Sequence, residues 1–187
     1  MNALPQAKLT LDAFLAWENA QPERHEFHRG EVFAAEAAGR VHGTVVSNLL
    51  CRVSQRLKGT PGQVFAHSMK IQIADDTILY PDVFVTCDKA DLATEMIFRA
   101  PTVIFEVLSP STQAYDRSQK FALYRRLPAL KEYVLTDPET RRVEAFRVDA
   151  NGRWYLHDMS DGTVLHLPAL AIELPLAEVF DGIDPAA

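Results

Sequence analysis

Two carboxylates set inside apolar runs are the residues of this chain most able to do chemistry. Asp82 stands in the run Tyr80-Pro81-Asp82-Val83-Phe84-Val85, and Glu106 interrupts Val103-Ile104-Phe105-Glu106-Val107-Leu108. A carboxylate among Val, Ile, Phe and Leu is costly unless it is paired, protonated or metal-bound, because an isolated charge loses its hydration there. Two acids on neighbouring strands can share a hard cation such as Mg²⁺, which takes carboxylate oxygens, keeps waters and activates one of them against phosphate. A lysine nearby would then orient that water or stabilise developing charge, and Lys120 is the candidate. Asp116, Lys120 and Tyr124 recur every four residues, so they share one helix face and Lys120 can point at the strand ends. These spacings fit a metal-dependent phosphodiester site, with Asp82 and Glu106 as metal ligands and Lys120 assisting.

Each of these residues also has a plainer reading. An Asp after Pro at a strand start is an ordinary turn or cap residue. A helical Lys four residues after an Asp is an ordinary solvated partner. Glu106 stands apart, because buried glutamates are uncommon and functional sites concentrate perturbed carboxylates. His42 reads first as a histidine bordering the core with a satisfied hydrogen bond, and second as a site residue. Ser109 and Ser111 have no histidine and acid placed to activate them, so they read as helix caps rather than nucleophiles. Ser111-Thr112 opens a helix, where a phosphate can rest on free N–H groups.

The elements that must position these residues follow from hydrophobic period and breakers. Thr10 caps a short helix carrying Leu11, Phe14 and Leu15. Alternation over residues 25–33 predicts a hairpin turning near Arg29-Gly30, flanked by Glu26 and Glu31. Val45, Val46, Leu49, Leu50, Val53 and Leu57 form one stripe of an amphipathic helix over 41–57. Three strand-like runs follow at 64–73, 78–86 and 102–108, then a second amphipathic helix through Tyr115, Phe121, Tyr124 and Leu127 that ends before Pro128, then a buried strand at 132–136. Short strands near 143–147, 154–157 and 164–167 read as an antiparallel extension. The order helix, strand, strand, strand, helix, strand predicts an α/β (α+β) fold, a mixed sheet flanked by helices.

Composition bounds the function classes. A chain of 187 residues suffices for one domain with its own core, with no internal repeat or linker in view. With 48% hydrophobic and 24% charged residues, disorder has no compositional foothold. The N-terminus lacks a signal-peptide pattern and no apolar run approaches the roughly 20 residues of a membrane helix, so a cytoplasmic protein is expected. Cys51 and Cys87 have no Cys or His at ligand spacing and read as reduced thiols. A net charge of −6 argues against strong non-specific nucleic-acid binding. Any such role must use a local patch, and Arg117, Lys120, Arg125, Arg126 and Lys131 are the densest basic stretch.

Glu26-Phe27-His28-Arg29-Gly30-Glu31, His42, Pro81-Asp82-Val83, Glu106-Val107-Leu108-Ser109-Pro110-Ser111-Thr112, Asp116, Lys120, Tyr124, Lys131-Glu132-Tyr133 and Asp137-Pro138 resemble the Uma family of putative restriction endonucleases. The likeness spans roughly residues 10 to 180. That family is placed in the PD-(D/E)XK nuclease superfamily, whose core has the element order read above. The resemblance implies a Mg²⁺-dependent (or Mn²⁺-dependent) DNA endonuclease, a hydrolase often found as a homodimer. It puts the superfamily's two acids on Asp82 and Glu106. Where the superfamily usually has lysine two residues later, this chain has Leu108, which implies that the lysine has moved to Lys120. The acid often supplied by the preceding helix is absent; His42 stands there, and Glu26 or Glu31 could substitute. The alternative is a catalytically inactive protein on the same fold that binds DNA or a protein partner.

Overall fold

The computed structural model describes residues 4, 7–35, 39–66, 69–159 and 162–183. Helix α1 (Leu11–Glu18) starts where the Thr10 hydroxyl accepts from the Ala13 N–H at 3.2 Å, the cap its sequence predicts. Strands β1 (His25–His28) and β2 (Glu31–Ala34) form the expected hairpin. Arg29 (φ 48°) and Gly30 (φ 89°) supply the two left-handed residues that a tight hairpin turn requires. Helix α2 (Arg40–Arg56) buries Val45, Val46, Leu49 and Val53, the stripe read from its period.

The remaining strands are β3 (Gln63–Ala66), β4 (Lys70–Ile73), β5 (Thr77–Leu79), β6 (Val83–Thr86), β7 (Ile97–Phe98), β8 (Pro101–Val107), β9 (Glu132–Asp137), β10 (Arg142–Val148), β11 (Trp154–Asp158), β12 (Val164–Leu167) and β13 (Ile172–Pro175). They form a six-stranded sheet in the order β11-β10-β9-β8-β6-β3, a five-stranded sheet in the order β2-β1-β5-β4-β7, and the hairpin β12-β13. In the larger sheet β8 and β9 run parallel and the other pairs antiparallel. The segment joining β8 to β9 is helix α3, residues 113–124, and a short helix α4 (Leu176–Val179) packs near the C-terminal end.

Side-chain alternation divides the six-stranded sheet into two faces. Val83, Val85, Val103, Phe105, Val107 and Val134 join α2 and the β12-β13 hairpin in one core. Phe84, Ile104, Leu108, Tyr133 and Leu135 join α3 and the smaller sheet in another. Glu106, two residues from both Ile104 and Leu108, therefore projects into the second core.

Four expectations are corrected. Residues 64–73 and 78–86 are not single strands: each is divided between the two sheets, as β3 and β4 and as β5 and β6. The second division falls at Pro81, which has no N–H to give a ladder, so the chain leaves one sheet there and enters the other. The other two concern the C-terminal strands and the end of α3. Residues 164–167 pair with β13 apart from the main sheet, and α3 ends at Tyr124 rather than reaching Leu127. No helix among the described residues is long and apolar enough to cross a membrane. Cys51 and Cys87 are free thiols.

Candidate active site

The division at Pro81 places Asp82 one residue before β6, between the sheets, and the C-terminal end of β8 brings Glu106 beside it. The Asp82 N–H donates to Glu106 Oε2 at 3.4 Å, and the Val107 N–H donates to Asp82 Oδ2 at 2.7 Å. The two acids are thus tied through each other's backbone. Lys120 Nζ lies 2.9 Å from Glu106 Oε1, 3.5 Å from Glu26 Oε1 and 3.7 Å from Asp116 Oδ1, and donates to the Tyr80 carbonyl at 3.4 Å. Glu106 is 1% exposed and Lys120 6% exposed, so this is a buried ionic cluster rather than a solvated helix pair.

How Lys120 reaches the acids depends on α3. Its middle turn, Asp116–Lys120, is a π-turn between the α-helical pieces Gln113–Tyr115 and Phe121–Tyr124. Such turns are rare and favour functional sites. Here both ends of the turn are buried, and the Tyr133 hydroxyl donates to the Asp116 carbonyl at 3.0 Å. Ser109 Oγ accepts from the Thr112 N–H at 3.2 Å, the helix-start role expected of it.

The other candidates divide. Glu26 joins the cluster: its Oε1 accepts from the Tyr80 N–H at 3.2 Å and its Oε2 from the Tyr115 hydroxyl at 3.1 Å. Glu31 does not; it is half-exposed, with Lys8 Nζ at 3.9 Å. His42 Nε2 lies 3.2 Å from Asp82 Oδ2, while its Nδ1 is buried with no hydrogen-bond partner among the described residues. The basic stretch is no continuous free face, since Arg117 pairs with Glu144, Arg126 with Asp76 at 2.7 Å, and Lys120 is inside. Sequence reasoning placed Tyr115 and Tyr124 on the stripe of the second helix and gave neither of them, nor Tyr80, a role in the site, yet the Tyr124 hydroxyl donates to Glu106 Oε1 at 3.1 Å. The four-residue repeat Asp116, Lys120, Tyr124 was the available signal for it.

Burial pushes the Glu106 carboxyl well above its usual range; Lys120 pulls it back, and the Asp82 and Asp116 charges add to the rise. Burial likewise lifts Asp116 against the pull of Lys120. For Lys120 burial acts downward, but Glu106, Glu26, Asp116 and Asp82 together hold its ammonium well above the ordinary value. The Glu106 and Lys120 shifts oppose each other across one contact. Donors from Lys120, Tyr124 and Asp82 all point at Glu106, which favours the charged pair.

At Asp82 burial acts upward, yet the hydrogen bond and charge of His42, with Lys120 and the Val107 N–H, hold the carboxyl below its usual range. His42 rises above 6.5 because Asp82 outweighs its burial. The stabilisation from this pair is therefore full between about pH 3.8 and 6.5, and is lost as pH falls from 3.8 through the lowered Asp82 value or rises from 6.5 through the raised His42 value. In Asp82→Asn, burial is left less opposed, and NMR titration is expected to find the His42 pKa lowered relative to wild type; an unmoved value would contradict the pairing.

Glu26, Asp82, Glu106 and Asp116 outnumber the cations Lys120 and His42 in this cluster, and their oxygens are hard donors. Among the described residues no group of three or more His, Cys, Asp or Glu forms an arrangement that holds a metal on its own. Mg²⁺ is commonly bound through one or two carboxylates and completes its shell with water and substrate phosphate, and Asp82 with Glu106 is a carboxylate pair of that kind. The surplus of carboxylate charge and the hard donor set fit such an ion.

Residues 11–177 match the family model Uma2, described as "Putative restriction endonuclease". Two uncharacterized proteins of Synechocystis are similar to this chain. One is 29% identical over 180 residues, covering 96% of this chain and 95% of its own length. The other is 30% identical over 154 residues, covering 81% and 87% respectively. A crystal structure described as a putative nuclease of Anabaena variabilis aligns over 92% of this chain and 97% of its own, with TM-score 0.74 and 20% identity. The fold is therefore the restriction-endonuclease-like α/β (α+β) arrangement.

Proposed function

From the premise that the chain belongs to the Uma2 family of putative restriction endonucleases, we propose that it hydrolyses DNA phosphodiester bonds with Mg²⁺ or Mn²⁺ at the Asp82–Glu106–Lys120 cluster. The observation that carries this reading is the buried Lys120 ammonium, 2.9 Å from Glu106 and held by Glu26 and Asp116, at the place where Asp82 and Glu106 meet. Leu108 is packed in the core and can supply no charge, so the lysine function falls to Lys120.

Asp82 and Glu106 would hold the ion, which when bound supplies Lewis-acid polarisation of the phosphate and a more acidic water. Val107 N–H and His42 both engage Asp82 Oδ2, fixing the carboxylate's orientation. Lys120 and Tyr124 do the same for Glu106 Oε1. Lys120 also provides a fixed positive charge where negative charge grows on the phosphate oxygens, a stabilisation that needs no reorganisation during the reaction. Cutting both strands of a duplex would engage a second copy of the chain, and the active species is expected to be a homodimer acting in the cytoplasm.

Supercoiled plasmid incubated with Mg²⁺ or Mn²⁺ is expected to pass to nicked and linear forms and to stay intact with a chelator. Plasmid left intact with either ion would contradict catalysis and favour the inactive DNA- or protein-binding alternative.

A further inference from the structure

The six-stranded sheet ends on β11, and that edge joins an exposed apolar surface to unpaired backbone groups. Among the described residues three large apolar side chains are exposed, and two of them, Tyr155 (47%) and Leu156 (51%), are neighbours on this strand. Edge strands are normally blunted by Lys, Pro or a bulge, kept short, or covered by other chain. The edge at β2 is covered where the Leu4 N–H donates to the Val32 carbonyl at 2.7 Å, and β7 has only two residues. The run Trp154-Tyr155-Leu156-His157-Asp158 carries no Lys or Pro, and residues 155–158 are exposed. Its neighbour β10 fixes which backbone groups point outwards. The Asp149 N–H donates to the Arg153 carbonyl at 2.8 Å and the Met159 N–H to the Val143 carbonyl at 2.9 Å, in the register that sets Arg147 opposite Tyr155. Antiparallel ladders alternate, so Tyr155 and His157 bond to β10 while the N–H and C=O of Trp154 and Leu156 face away from it.

The second core reaches the same edge. Trp154 stands edge-on to Phe121 with ring centroids 5.4 Å apart, and Phe121 packs on Tyr133 and Phe146. An aromatic row thus runs from α3 to the half-buried Trp154 and stops there. Leu156, two residues on, shares the face of Trp154. A second β11, antiparallel across a two-fold axis, would continue both the ladder and this row. Centred on Tyr155, the pairing sets Tyr155 against its own copy and Leu156 against Trp154 of the partner subunit. Aromatic and apolar cross-strand pairs of this kind are favourable. Arg153 then meets His157 of the partner subunit, which burial and Arg147 hold below its ordinary pKa and so neutral at pH 7. Centring on Leu156 instead would set the Trp154 ring against the Asp158 carboxylate.

We propose that β11 is the interface between two copies of this chain, paired antiparallel about a two-fold axis through Tyr155 so that their larger sheets join into one. The axis is normal to the joined sheet, so both copies of the Asp82–Glu106–Lys120 cluster lie on its α3 face. The proposal concerns assembly and stands apart from the nuclease reading, whose expected homodimer it supplies with a surface. Pairing of one short strand buries little area, so association is expected in the micromolar range.

The test is sedimentation equilibrium of wild type and Leu156→Pro from micromolar to submillimolar concentration. The substitution removes an N–H that points away from β10, a setting in which edge strands tolerate proline, so the circular dichroism of the variant should match wild type. Wild type is expected to pass from one to two chain masses as concentration rises, and Leu156→Pro to stay at one. A second measurement decides the case should the proline variant not fold. Tyr155→Cys is oxidised in a background carrying Cys51→Ser and Cys87→Ser, beside Leu156→Cys in the same background. The pair on the axis is not hydrogen-bonded and brings its Cα atoms to about 4.5 Å, within reach of a disulfide. Tyr155→Cys should therefore give a reducible covalent dimer and Leu156→Cys very little. Wild type at one chain mass throughout, or a dimer that persists in folded Leu156→Pro, would overturn the interface. So would cross-linking that fails at Tyr155→Cys or favours Leu156→Cys. None of these readings involves DNA, so plasmid cleavage stands or fails separately.

Discussion

Lys120→Met is expected to cost both stability and activity. The substitution leaves Glu106, Glu26 and Asp116 buried without the ammonium that contacts all three. Removing one partner of a buried ionic group costs about 3–5 kcal/mol, because the charge left behind is uncompensated. The loss should also depend on pH. Glu106 already titrates above 4.5 in the folded chain, and without Lys120 it rises further. The folded state then binds more protons than the unfolded one, so stability falls as pH climbs from about 4.5 through the raised folded value. Denaturant titrations at acid and at mildly alkaline pH should find the larger deficit at alkaline pH. A deficit equal at both pH values, or none, would show that the cluster does not hold its charges as described.

Glu106→Gln is expected to separate activity from stability. The amide keeps the size of the carboxyl, and its oxygen can still accept from Lys120 and Tyr124. What it loses is the 3.4 Å contact from the Asp82 N–H and the burial of a negative charge, and these have opposite signs. The stability change should therefore stay within about 1 kcal/mol. Plasmid cleavage should fall by about three orders of magnitude or more, since the loss of a metal ligand removes several kcal/mol of charge stabilisation. Cleavage at the wild-type rate would remove Glu106 from the mechanism.

The contrast between these variants explains what the sequence could and could not disclose. Glu106 was legible because a charge in the run 103–108 violates the apolar pattern of a core strand, and violations of that kind gather at functional sites. Lys120 was legible only through its four-residue relation to Asp116 and Tyr124, which fixes a shared face but not where the face points. The π-turn that buries Lys120 leaves no mark in hydrophobic period. Pro81 was a visible breaker inside the run 78–86, yet that run still reads as one strand because its apolar residues continue on both sides. Only pairing β5 with β1 and β6 with β8 shows that the chain changes sheets there. Glu26 and Glu31 were equivalent by sequence, flanking one turn. They differ because β1 is interior to its sheet while β2 is its edge, leaving Glu31 towards solvent.

The central claim is that Asp82 and Glu106 bind a divalent cation used to cleave DNA. Its most direct test is calorimetric titration of Mg²⁺ and Mn²⁺ into wild type and Glu106→Gln, with the same samples incubated with plasmid. Binding and cleavage in wild type that vanish together in the variant are the expected result. A wild type that takes up neither ion at millimolar concentration and leaves the plasmid intact would contradict it.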